Sequence, residues 1–250
     1  MPRFYVPPEA IRGNRFSLAG SEARHAIKVL RKKVGDDVEL FDGKDASFRG
    51  RIESISETEV RGVLEETRPG AAIPVQVTLY QALIKGPRWD WLMEKACEIG
   101  VWKIVPIVSH RTLVKLDKKE STGKSARWNR IALAASKQCG RANIMEVTVP
   151  IPFASAVSAA SKAGRSFIPW EKEAGRSLQE ACHGTQGMSA LFIGPEGGWE
   201  GSEVEFAVRN QIIPVRLGPT LLRSETAGLV AATLILREGG RIRVSGRRLS

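Results

Sequence analysis

Chemistry concentrates in two glycine-bearing runs of this 250-residue chain. One begins at Ile193 and reads I-G-P-E-G-G-W-E-G-S-E. The other begins at Leu217 and reads L-G-P-T-L-L-R-S-E-T-A. Each leaves an apolar strand candidate and enters a helix candidate. Gly194, Gly197, Gly198 and Gly218 permit positive φ and close approach of a flat ligand to the backbone. Ile193, Leu217, Leu221 and Leu222 offer apolar walls. Ligands in open α/β sheets bind beyond the carboxyl ends of strands. An adenine ring fits such a slot, with backbone N–H and C=O groups reading its edge. Ordinary tight turns would explain either run alone; two of them on successive strands point to a site.

Other phosphate and acyl chemistries are excluded by spacing. The Gly194–Gly198 run lacks G-x-x-x-x-G-K-[ST], so it is no P-loop. It also lacks G-x-G-x-x-G, and its proline removes a backbone donor, so a dinucleotide fingerprint is unsupported. No G-x-S-x-G nucleophile elbow occurs. Arg223 stands just before the last helix, where a cation opposes the helix dipole. It suits an anionic or electron-rich substrate; the plainer reading is a surface arginine paired with Glu196 or Glu225. Ser224 or Glu225 can cap that helix.

Composition sets the class. The net charge is +11 with 42% hydrophobic residues, an ordinary core fraction carrying an excess of cations that points to a polyanionic partner, nucleic acid foremost. Cys97, Cys139 and Cys182 are odd in number and far apart, which argues against a disulfide framework. His25, His110 and His183 are scattered, and no metal site is expected. The start has no signal-peptide pattern and no apolar run spans a membrane, so a cytoplasmic protein is expected.

The elements that position the runs read as two domains, 1–70 and 71–250. The first is β-rich, with extended stretches at Val38–Phe41, Phe48–Ile52 and Glu59–Leu64. Its one helix, from Ser21 as cap to Lys33, has an apolar face at Ala23, Ala26, Ile27 and Leu30. Its other face holds Arg24, His25, Lys28, Arg31, Lys32 and Lys33, either a solvated side or a phosphate-contacting edge; the lack of interleaved acids favours the latter. A Pro/Gly linker, Thr67–Pro74, follows. Strand and helix candidates then alternate: strands at 75–84, 101–108, 146–149, 165–170, 189–193 and 213–217. The helices fall at 87–99, 125–139, 153–163, from about 202 and 225–237. Pro87 suits a first helical turn, and Ser202-Glu-Val-Glu205 has the capping-box pattern. Alternation predicts a mostly parallel α/β sheet. Gln138-Cys-Gly-Arg141 is a helix stop or a polar substrate-contacting corner. His110 to Lys124 is a positively charged connection with Arg111, Lys115, Lys118 and Lys119. The tail from Arg241 is basic and expected to be loosely held.

On these residues the chain resembles the ribosomal RNA small subunit methyltransferase E family of the SPOUT class. The matching motifs are His25-x-x-x-Val-Leu-Arg31, Lys95-x-x-Glu-Ile-Gly-Val101, Gln138-x-x-Arg141, Gly194-Pro-Glu-Gly-Gly198 and Leu217-Gly-x-x-Leu-Leu-Arg-x-Glu-Thr-Ala227. The resemblance implies a PUA-like N-terminal domain of β-barrel character. It implies a knotted C-terminal α/β domain, S-adenosylmethionine as cofactor, a homodimer, and methylation of uridine N3 in 16S ribosomal RNA, met within the small ribosomal subunit. It places Trp170, Ile193, Gly194, Gly197, Gly198, Leu217, Gly218, Leu221 and Leu222 on the cofactor, with a third loop after Trp170 carrying Glu171-Lys-Glu173. Uracil N3 carries a proton at neutral pH, so such a reaction needs an anion-stabilising cation or a base: Arg223 is expected to stabilise charge on the uracil oxygens, with Glu225 a candidate to accept the N3 proton. RNA contacts fall to Arg24, His25, Lys28, Arg31, Lys32, Arg111, Gln138 and Arg141. The chain departs from the pattern at Lys137, where the family commonly has Glu. Two competing readings are a non-catalytic ribosome-assembly protein, for which the basic N-terminal half suffices, and a SPOUT enzyme methylating a 2′-hydroxyl of transfer RNA. Cofactor binding separates the first and the identity of the methylated nucleoside the second.

Overall fold

The computed structural model describes residues 2–70, 73–114, 117–161, 164–240 and 242, with no description of the Lys118 side chain. Ala71 and Ala72 of the expected linker, Lys115, Ala163 and the tail apart from Ile242 lie outside the described residues. The chain forms two units, Met1–Ala72 with Leu133–Ile144, and Ile73–Ala132 with Met145–Ser250.

Unit 1 is a six-stranded sheet ordered β1-β4-β5-β6-β3-β2. Its strands are β1 (Arg3–Tyr5), β2 (Ile11–Arg12), β3 (Arg15–Ala19), β4 (Asp37–Phe41), β5 (Ser47–Ile55) and β6 (Glu59–Arg68). Phe4 on one end strand, Leu18 and Ile52 further along, and Ala23 and Ala26 from the helical segment share one apolar core. The sheet therefore curls around a single interior, in keeping with the barrel character expected. Two register shifts in the β5–β6 ladder, at Arg49/Gly50 and Ile52/Ser54, supply the bend.

The expected Ser21–Lys33 helix is shorter and changes type. Helix α1 (Gly20–Arg24) passes into a π-turn over His25–Val29. Ser21 does not cap it: Ala19 is the capping residue and gives no side-chain bond. The segment stops where Arg31 takes a positive φ of 51°. Leu133–Ile144, which the sequence pattern set in 71–250, groups with unit 1. Lys137 reaches both carboxylate oxygens of Glu22 at 2.9 Å, and Ile144 N donates to Gly43 O at 3.0 Å. Lys137, the departure from the family pattern, thus has a partner.

Unit 2 is a seven-stranded sheet ordered β10-β8-β7-β12-β11-β13, with β9 also on β8. The strands are β7 (Val75–Ala82), β8 (Lys103–Val108), β9 (Glu146–Val147), β10 (Ile151–Pro152), β11 (Ser166–Pro169), β12 (Gly187–Ile193) and β13 (Ile213–Val215). All the pairings are parallel, as alternation predicted. Helices α2 (Pro87–Ile99), α3 (Lys118–Cys139), α4 (Phe153–Ala160), α5 (Leu178–Cys182), α6 (Gly201–Arg209) and α7 (Ser224–Glu238) connect them. Central strands read as apolar runs because both faces are covered. Tyr80 and Phe192 pack with Phe153 and Val157 of α4 and Val204 and Ala207 of α6 in one core, while α7 lies on β7, β12 and α2.

Two helix starts in this unit also differ from expectation. Helix α3 begins at Lys118 rather than 125, so much of the expected connection is helical. The box that starts α6 is Glu200 with Glu203, not Ser202 with Glu205. The complete serine box lies instead at Ser177 and Glu180, opening α5, a helix that the sequence pattern does not announce. Helix α2 follows expectation, with Pro87 in its first turn and Gly100 ending it at φ 98°.

Candidate active site

The two runs flank a neighbour that sequence order hides. They follow β12 and β13, which are consecutive in the chain, yet β11 lies between them in the sheet. The loop after β11, beginning at Trp170, is therefore brought between the other two. These three strand ends open on one cavity of about 950 Å³, within the roughly 300–1,000 Å³ typical of small-molecule sites.

Trp170, Ile193, Gly194, Gly197, Gly198, Leu217, Gly218, Leu221 and Leu222 all line it, as do Arg223 and Ser224. Gly194 permits a close approach: a Cβ there would stand 3.1 Å from the Trp199 ring, tighter than ordinary contact. That ring is buried and its Nε1 donates to Pro169 O at 3.1 Å, joining the first loop to the end of β11. Gly198 is required by its φ of 69°; its N–H closes a turn on Pro195 O at 3.0 Å.

A buried polar relay holds the first loop against α7. Gln81, fully buried on β7, donates from Nε2 to Ser224 Oγ at 2.8 Å. Ser224 Oγ donates onward to Gly194 O at 2.5 Å. Ser224 is thus no helix cap; Arg223 occupies the cap position in extended conformation and makes no side-chain cap bond. Sequence reasoning missed Gln81, because a lone glutamine in an apolar strand gives no pattern.

Charge around the cavity is divided. Arg88, Arg216, Glu171, Glu173 and Glu196 line it. Glu173 is committed to its own loop, accepting from Gly175 N at 2.7 Å and Arg176 N at 3.1 Å. Arg88 stands 3.5 Å from Glu196 and 4.0 Å from Glu225. The carboxylates offered as plain partners for Arg223 therefore face Arg88. Among the described residues Arg223 has no ion pair, and it is exposed at the cavity. Glu225 is only 6% exposed and is not among the lining residues. Nothing in the sequence marked Arg88, which sits one residue past a helix-starting proline.

The remaining expected contacts separate by unit. Arg24, Lys28 and Arg31 are exposed on unit 1. Lys32 Nζ is occupied by Asp37 O at 2.9 Å, and the His25 ring packs on Phe4 with centroids 5.8 Å apart. Gln138 is exposed at the last turn of α3; Arg141 is half-buried and its Nε donates to Asn143 Oδ1 at 3.3 Å. Arg111, in unit 2, donates from Nε to Glu200 at 2.8 Å and from Nη1 to Gly197 O at 2.9 Å. The arginine holds the Glu200 carboxyl below its ordinary range, chiefly through that hydrogen bond. Among the described residues no helix is long and apolar enough to cross a membrane, and no cluster of three metal-ligating side chains occurs.

Comparison with known proteins agrees with this arrangement. Residues 71–236 match the family described as RNA methyltransferase domain, and residues 18–65 the RNA methyltransferase PUA domain. Ribosomal RNA small subunit methyltransferase E of Bacillus subtilis is 29% identical over 227 residues, 88% of this chain and 89% of that protein. The crystal structure of a protein of the same name from Neisseria gonorrhoeae, bound to S-adenosylmethionine, is 30% identical with a TM-score of 0.83. That similarity covers 94% of this chain and 98% of that one. A Legionella pneumophila protein solved with the same cofactor is also 30% identical, with a TM-score of 0.82 over 94% of this chain and 96% of that one.

Proposed function

The chain belongs to the RNA methyltransferase family, in its ribosomal RNA small subunit methyltransferase E branch, and from that premise we propose that it methylates N3 of a uridine in 16S ribosomal RNA. The observation that carries the reading is the cavity where three parallel-strand ends meet, with an arginine at its edge that has no ion pair among the described residues.

The residues present suit S-adenosylmethionine. Ile193, Leu217, Leu221 and Leu222 supply apolar walls, and the glycines open the backbone to an adenine edge. Arg216 and Glu171 offer opposite charges for a zwitterionic amino-acid end. The bound cofactor supplies a methyl already activated on a sulfonium. What the protein must add is alignment with N3 and stabilisation of a uracil losing its proton. The last of these falls to Arg223, whose guanidinium has no ion pair among the described residues and favours negative charge on the uracil carbonyl oxygens. Glu225 is set back from the cavity, so the reading gives it no direct contact with the base, and the N3 proton departs to solvent. A base modified at its pairing edge must be unpaired or flipped out.

In the same reading unit 1 binds RNA through Arg24, Lys28 and Arg31, with Gln138 and Arg141 nearby in that unit. A homodimer in the cytoplasm, a knotted path through the three loops and the assembled small subunit as substrate complete it. Exposed Trp91 on α2 and Val230 on α7, helices packed together, leave apolar surface for a second copy. The deciding experiment incubates the protein with labelled S-adenosylmethionine and unmodified small subunits, then maps the methyl group. Label on uridine N3 of 16S RNA is expected; label on a ribose hydroxyl, or none, overturns the reading.

A further inference from the structure

Arg111 has the charge and exposure of a phosphate contact, yet three features tie it elsewhere. The turn that presents it is braced. Ser109 N donates to Thr112 Oγ1 at 2.9 Å, Thr112 N donates to Ser109 O at 3.1 Å, and both side chains are buried. From that turn the guanidinium grips two acceptors on the far side of the sequence, the Gly197 carbonyl at 2.9 Å and the Glu200 carboxylate at 2.8 Å. The stem lies against Gly197 itself, where a Cβ would stand 3.4 Å from Arg111 Cβ. Next to it, His110 N donates to Glu203 Oε1 at 2.9 Å. Glu200 and Glu203 are the pair that starts α6.

The two edges of one peptide plane are thereby fixed. Its carbonyl, that of Gly197, is held by Arg111, and its N–H, that of Gly198, is held by Pro195 O at 3.0 Å. A glycine pair has wide backbone freedom, and ordering it costs more entropy than for other residues. An external clamp on that plane removes this cost before a ligand arrives, which raises affinity by preorganisation. A guanidinium suits such a clamp because its planar fork reaches two acceptors at once.

We infer that Arg111 is a positioning residue for the cofactor loop, presetting the Gly197–Gly198 peptide through Gly197 O and Glu200, and not a contact to RNA phosphate. The inference rests on the reading of this cavity as the S-adenosylmethionine site. The test compares Arg111→Ala, Arg111→Lys and Glu200→Ala with the unaltered protein. Calorimetry measures S-adenosylmethionine affinity, and filter binding measures 16S RNA affinity over a range of salt. For Arg111→Ala the cofactor Kd and KM are expected to rise on the order of tenfold, from the lost charge-assisted bond to Gly197 O, the one that acts on the loop peptide itself. The turnover rate at saturating cofactor stays within about threefold, since preorganisation acts on binding. RNA affinity and its salt slope are expected to be unchanged. Arg111→Lys, which cannot bridge both acceptors, restores only part of the loss. Glu200→Ala, which leaves the cation in place, weakens cofactor binding in the same direction and guards against misfolding of the arginine variants. Unchanged cofactor affinity in Arg111→Ala or Glu200→Ala overturns the inference. So does a drop in RNA affinity with the salt slope reduced by about one, the signature of a lost phosphate contact. Failure of the unaltered protein to bind S-adenosylmethionine instead removes the cofactor reading, and the inference falls with it.

Discussion

The hydroxyl of Ser224 donates to the carbonyl of Gly194 across 2.5 Å, joining the first turn of α7 to the first residue of the glycine-rich loop. The same oxygen accepts from Gln81 at 2.8 Å, so one side chain fastens the loop both to the helix and to the central strand.

Ser224→Ala removes both bonds. Gln81 Nε2 keeps only a 3.3 Å contact to Ala82 O, and Gly194 O loses its donor. Leaving buried polar groups unpaired costs about 1–3 kcal/mol, which a shift in the urea midpoint will read. Because the freed carbonyl belongs to the cavity wall, S-adenosylmethionine affinity falls as well. A variant with unaltered midpoint and affinity would show that the relay is incidental.

Arg223→Ala tests a different contribution. The arginine is the cap residue of α7 but gives no side-chain cap bond, and among the described residues it has no ion pair, so truncation removes nothing that holds the fold. Turnover at saturating RNA is expected to fall about 10²–10³-fold, the typical loss when a transition-state donor is deleted. Calorimetric affinity for S-adenosylmethionine remains. Full turnover in this variant would be incompatible with the proposed role.

The sequence displayed the elements of this site far better than their neighbours. Gly194, Gly198 and Leu217 were legible because glycine and leucine at strand ends carry local backbone and burial meaning. The parallel sheet followed from alternating apolar runs. The insertion of β11 between β12 and β13 was not legible, since parallel pairing joins segments far apart in sequence. Local signals also misled where competitors stood close by: Ser202 matched a capping pattern, yet Glu200 two residues earlier takes the position, with Glu203 completing the box. The Ser21 cap failed because the helix begins at Gly20, which has a φ of 59°, so the cap position falls two residues sooner, on Ala19. Lys28 and Lys32 looked alike in sequence. Only the fold separates an exposed cation from one spent on the Asp37 carbonyl.

The Arg111–Glu200 contact gives the cofactor site an acid limit. Hydrogen bonding and charge from Arg111 lower the Glu200 pKa from its ordinary 4.5, with smaller help from His110 and Lys172. A carboxyl whose folded value is depressed contributes stability that is present above the unfolded value and lost as pH falls through the folded one. Affinity for S-adenosylmethionine should therefore show no Glu200-dependent change from neutral pH down to about 5, above the ordinary carboxyl range. Below it the contact weakens as the carboxyl protonates. Calorimetry of Glu200→Gln beside the unaltered protein isolates this limb, because the amide keeps an acceptor oxygen but cannot titrate. Identical acid profiles would remove Glu200 from the account.

Helix α7 packs on β7 at a point where residue 228 lacks a side chain. A Cβ at Gly228 would stand 2.8 Å from Gln81 Oε1, with Leu92 and Leu79 at 3.6 and 3.7 Å. The amide can retreat only by giving up its Nε2 bond to Ser224, and the residue is fully buried. Gly228→Ala gains helix propensity, worth about 1 kcal/mol, but overpacks a buried polar contact at a cost of about 1–3 kcal/mol. The second effect wins if the strand and helix are rigid, and the net change in urea stability is then a loss. Relief by moving Gln81 would break the relay to Gly194, so the variant should also bind S-adenosylmethionine more weakly. Gln81→Ala in the Gly228→Ala background separates the two effects: it frees the space, returning part of the stability, yet leaves cofactor affinity low because Ser224 loses its orienting donor. Recovery of both together would mean that only crowding, and not the relay, connects α7 to the cavity.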